Sequence, residues 1–73
     1  MEREEVKQFV DSELESYDYA SDFSGLDSLA KLELIMKCEG EFMIAINENE
    51  LENERNWTTD MFVDYLTKKV NER

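Results

Sequence analysis

Apolar residues in this chain recur at steps of three and four in three separate segments, and that spacing favours helices over any other element. Val6, Phe9, Val10, Leu14 and Tyr17 form the first stripe, with Glu2, Glu4 and Glu5 near its start, where the helix dipole favours acids. The spacing predicts a helix over 3–16. Tyr17 to Asp27 is rich in Ser, Asp and Gly and reads as a loop, pinned to the core by Tyr19, Phe23 and Leu26. A second helix is predicted from Asp27–Ser28, either of which is a suitable cap, to about Phe42, with Gly40 weakening its last turn. Residues 47–56 contain one apolar side chain, Leu51, and predict no more than a short helical turn. Thr58 or Thr59 caps a final helix whose apolar face is Phe62, Val63, Leu66 and Val70, with Lys68, Lys69 and Arg73 towards its C-terminus. Phe42 to Ile46 passes for a strand, but no second strand exists to pair with it. The expectation is an all-α bundle, one domain over 1–73, with three main helices and one short one.

Composition narrows the function. Nineteen acidic against eight basic residues give a formal charge of -11, which repels phosphate backbones and argues against a nucleic-acid partner. With no histidine, histidine-based catalysis and histidine metal sites drop out, and the lone Cys38 offers neither a disulfide nor a Cys-x-x-Cys pair. No metal site is expected. The longest apolar run has five residues, against the ~20 of a membrane helix, and the charged start Met1 to Glu5 is unlike a signal peptide. The expected setting is therefore the cytoplasm, away from membranes. No phosphate-cradling loop or nucleophile motif accompanies the carboxylates, so an enzyme is the least favoured class.

The second helix carries the functional signal. At about 100° per residue it shows two apolar stripes: Leu29, Leu32, Met36 and Met43 on one side, Leu34, Ile35, Cys38 and Phe42 on the other. Glu33, Lys37 and Glu41 run along one edge between them, and Glu33 and Lys37 are spaced for an ion pair along the helix. So small a domain buries one stripe well, which leaves the second as a candidate partner surface unless both are core. Physical reasoning does not choose which stripe faces out. Cys38, among Leu34, Ile35 and Phe42, reads as a buried, inert thiol, and Trp57 as an anchor beside the last helix.

Gly25-Leu26-Asp27-Ser28-Leu29, followed by Leu32-Glu33-Leu34-Ile35-Met36, resembles the acyl carrier protein family, including its peptidyl and D-alanyl carriers. Phe42, Ile46 and Val63-Asp64-Tyr65-Leu66 are similar to hydrophobic positions of that family, so the resemblance runs through nearly the whole chain. It implies a small four-helix bundle, acting as a monomer and non-catalytic in itself. Ser28 would take a covalent 4'-phosphopantetheine from a phosphopantetheinyl transferase, and the thiol of that arm would carry an acyl or aminoacyl group as a thioester. Asp27 would be engaged by the transferase. Leu29, Leu32, Glu33 and Met36 would face partner enzymes: the transferase, an acyl or aminoacyl ligase, and downstream synthases or transferases. The Leu34, Ile35, Cys38 and Phe42 side would face inward.

Departures from the family pattern point to a specialised or accessory carrier. The loop before Gly25 is short, Ala30 stands at a frequently acidic position, Lys31 and Lys37 interrupt the acidic face, and Asn47 replaces a frequent proline. Arg55-Asn56-Trp57-Thr58-Thr59 resembles the segment before the last helix of D-alanyl carriers. Two other readings stand beside this one. Plain helix capping is the commoner use of a serine so placed, but the surrounding match puts modification of Ser28 ahead of it. The carboxylate density lends weaker support to an unmodified interaction module that mimics nucleic-acid charge.

Overall fold

A computed structural model of the chain describes residues 1–18, 21–47 and 57–72. Among these residues the fold is all-helical and contains no strand. Helix α1 spans Arg3–Leu14, with Glu4 and Glu5 in its first turn, and buries Val6, Val10 and Leu14. It stops two residues short of the expected end. Ser16 and Tyr17 N–H groups bond back three residues, to the Glu13 and Leu14 carbonyls, and the Ser16 hydroxyl also donates to Glu13 at 2.6 Å. These short-range bonds tighten the chain out of the α-helix and satisfy its last carbonyls. Tyr17, the last member of the predicted stripe, therefore lies beyond the helix and is half-buried.

The described part of the following loop, from Ser21 on, contains regular structure. A single 3-10 turn occupies Phe23–Gly25, and both Phe23 and Leu26 are buried. The Phe23 ring stacks on Phe62, with centroids 4.2 Å apart and an interplanar angle of 11°. Tyr19, the third expected anchor, lies outside the described residues.

Helix α2 spans Ser28–Phe42 and buries Ala30, Leu34, Ile35, Cys38 and Phe42. Gly40 sits inside it with open space where a Cβ would stand, so it does not end the helix. Termination comes at Met43, which adopts the left-handed conformation (φ 55°) usually left to glycine. Glu39 closes the exit. Its carbonyl accepts from Ile44 N–H at 3.2 Å, and its carboxylate accepts from Ile46 N–H at 3.0 Å. The strand-like run Phe42–Ile46 is thus a helix end and an irregular turn that places Ile46 in the core.

Helix α3 spans Thr59–Glu72 and buries Phe62, Val63, Leu66 and Val70. Of the two candidate caps, Thr58 serves: its hydroxyl accepts from Met61 N–H at 3.2 Å. Arg3 reaches across from α1 to Asp60 and Asp64, and the N-terminal ammonium donates to Asn71 at 3.2 Å. Trp57 is buried just ahead of α3, edge-on to Tyr65 at 5.2 Å. Among the described residues, sixteen from the three helices and their connections, from Val6 to Val70, make one core cluster. The radius of gyration, 11.2 Å, equals the roughly 11 Å expected of a compact chain this long. The short helical turn expected within 47–56 falls outside the described residues beyond Asn47. The fourth helical element that is seen is the 3-10 turn. No helix among the described residues is long and apolar enough to cross a membrane.

Candidate functional site

The segment that leads into α2 is built around Asp22. Its Oδ2 accepts from the Ser24 hydroxyl at 2.6 Å and from Ser24 N–H at 3.2 Å. Its Oδ1 accepts from Thr59 N–H at 3.0 Å and from the Thr59 hydroxyl at 2.7 Å. Thr59 Oγ1 in turn accepts from Phe23 N–H at 2.9 Å. One carboxylate thus caps the 3-10 turn and is bonded to the first residue of α3. The Ser24 hydroxyl first, and then the Thr59 donors, hold the Asp22 carboxyl well below the usual carboxylate range.

From that anchor the chain runs without slack to the start of α2. Gly25 N–H donates to the Asp22 carbonyl at 2.9 Å, and Leu26 N–H to the Phe23 carbonyl at 3.1 Å. Asp27 is the N-cap: its carboxylate accepts from Ala30 N–H at 2.8 Å, and its carbonyl accepts from Lys31 N–H at 2.9 Å. The capping role thus falls to Asp27 rather than to Ser28. Ser28 stands exposed at the first helical position, at the positive end of the helix dipole.

The two stripes of α2 part cleanly. Leu34, Ile35, Cys38 and Phe42 are buried. Leu29, Leu32, Met36 and Met43 are 66%, 39%, 61% and 77% exposed, and they extend the outer face of α2 from Ser28 to its C-terminal end. The edge beside them is wired differently from the expected Glu33–Lys37 pair. Glu33 accepts from the Tyr17 hydroxyl at 3.3 Å, while Lys37 reaches Glu13 of α1 at 3.2 Å and lies 6.0 Å from the Tyr17 ring centroid. Glu13 raises the Lys37 ammonium, and partial burial raises the Tyr17 phenol. The nearer charge along the helix loses to a partner on the neighbouring one, because α1 brings Glu13 alongside.

Burial pushes the Cys38 thiol up to about 12, with Glu13, Glu39 and Glu41 adding to it, so it is not a nucleophile at neutral pH. Among the described residues, no group of three or more acidic, Cys or His side chains converges to hold a metal ion. Ser28, Asp27, Leu29, Leu32, Glu33 and Met36 all fall on α2 or at its cap, and all are exposed. Sequence reasoning missed Asp22 and read Thr59 only as a candidate cap of the last helix, so the link between them went unseen. The visible signal was Asp22-Phe23-Ser24, an acid followed two residues on by a hydroxyl, which suits a turn start; Thr59 lies too far along the chain to be tied to it by spacing. No family model, curated protein or solved structure matches this chain.

Proposed function

We propose that the chain is a carrier domain of the acyl-carrier type, a small four-helix bundle that bears 4'-phosphopantetheine on Ser28 and works as a cytoplasmic monomer. The observation that supports the reading most is the division of labour at the start of α2. Asp27 caps the helix, so the Ser28 hydroxyl is exposed and not spent on that structural task. The residues fit the group. A phosphodiester on Ser28 would lie beside the first-turn N–H groups and the positive helix end, both of which suit an anion.

Attachment asks for one displacement. The Ser28 hydroxyl oxygen forms a bond to the phosphorus that bears the pantetheine of coenzyme A. The phosphoanhydride bond breaks, the nucleotide half departs, and the serine proton passes to a base of the transferase. Bound, the group supplies a terminal thiol on a flexible arm, where an acyl or aminoacyl unit is held as a thioester. This chain then contributes presentation and docking. Asp27 keeps the helix start fixed, and Leu29, Leu32 and Met36 offer an apolar face to the transferase, a ligase and downstream enzymes, with Glu33 at its edge. A fluorescent coenzyme A analogue with a broad-specificity transferase tests the reading. The wild type should become labelled, Ser28→Ala should not, and Asp27→Ala should label more slowly. Equal labelling of wild type and Ser28→Ala would overturn it.

A further inference from the structure

We propose that Asp22 is the positioning residue for Ser28: by fastening the turn before α2 to the first residue of α3, it fixes the direction in which Asp27 and Ser28 are presented. The inference rests on the carrier reading. Phe23 and Leu26 are buried on this segment, and the stacking of Phe23 on Phe62 seats the turn against α3. Burial in general is non-directional, whereas hydrogen bonds constrain both distance and angle. Asp22 accepts four of them, two from its own turn and two from Thr59, and Phe23 N–H closes the loop onto the Thr59 hydroxyl. Between Asp22 and Ser28 the residues lie in the 3-10 turn, in the core at Leu26, or in the cap at Asp27. No residue among them is left to absorb a change in the clamp, so an altered tilt at Asp22 is handed on to Ser28. Its anchor is α3, through Thr59.

Kinetics of phosphopantetheine transfer from coenzyme A separate positioning from mere stability. Asp22→Ala and Thr59→Val should each lower kcat roughly tenfold or more, since misplacing a reacting atom by about 1 Å costs up to ~10²-fold. KM should stay within about twofold of wild type, because the docking face of α2 is untouched. Thr59→Ser, which keeps the hydroxyl, should restore wild-type kcat. Val70→Ala serves as the control: at a temperature giving the same folded fraction, it should keep wild-type kcat. Amide exchange of Gly25 to Lys31 should quicken in Asp22→Ala while α1 stays protected. A kcat for Asp22→Ala equal to that of Val70→Ala at matched folded fraction would overturn the proposal and leave the carrier reading standing. A wild type that accepts no phosphopantetheine would overturn both.

Discussion

Asp22 concentrates more directional bonding than any other side chain described, and its ionisation makes that bonding depend on pH. With its folded pKa depressed, its contribution to stability is complete above the unfolded value of about 3.9 and is lost as pH falls through the folded one. At pH 6, Asp22→Ala should cost about 1–2 kcal/mol, the usual range for losing a carboxylate cap. Below about pH 4 the gap between variant and wild type should narrow. Denaturant melts at the two pH values measure both; an unchanged gap would mean the carboxylate's charge does not matter. Cys38 gives a second prediction at this scale. Its thiol should react with a thiol reagent at pH 8 only as fast as the protein unfolds, and reaction at the rate of a free thiol would show the site to be open. Of the two network partners of Asp22, spacing points to one and not the other. Ser24 is two residues away and hints at a turn, but Thr59 is 37 away, and only the fold brings it near.

At the scale of elements, helix faces were the most legible feature of the sequence, because each stripe is set by period alone. α3 buries all four apolar positions the spacing marks. Of the five marked for α1, Val6, Val10 and Leu14 are buried, Phe9 is partly buried and Tyr17 lies beyond the helix. Helix ends were less evenly legible. α1 stops at Leu14, two residues short of the expected end, whereas α2 runs through Gly40 to Phe42 as expected. What the sequence did not show is how Met43 closes α2 and Glu39 captures the Ile44 and Ile46 N–H groups. Gly40→Ala should therefore stabilise the protein by roughly 0.5–1 kcal/mol, since the added methyl meets open space and favours the helix. Destabilisation on thermal melting would contradict this. The two stripes of α2 should also respond differently to truncation. Leu34→Ala or Ile35→Ala should cost about 2–5 kcal/mol and unfold much of so small a domain. Leu32→Ala and Met36→Ala should cost less than ~1 kcal/mol, as exposed substitutions do. Equal losses from both sets would make both stripes core and move the proposed docking surface to the edge of Glu33, Lys37 and Glu41.

For the whole molecule the governing quantity is the charge of -11. Arg3, Lys7, Lys37 and Lys68 each pair with acids, but on exposed or half-exposed side chains, where such pairs contribute little. The excess carboxylates repel one another across the surface. Raising salt from about 0.02 to 0.2 M should increase the melting temperature, because screening at those strengths acts over ~10 Å. A flat response would show that repulsion does not limit stability. The same charge, set around an exposed apolar face on α2 and a serine freed from capping, suits a carrier that visits partner enzymes by turns. The most direct test is intact-mass analysis after incubation with coenzyme A and a broad-specificity phosphopantetheinyl transferase, followed by fragmentation to locate the change. The account predicts the addition of one phosphopantetheinyl group, on Ser28. An unmodified protein, or addition at Ser12, Ser16, Ser21 or Ser24, would contradict it.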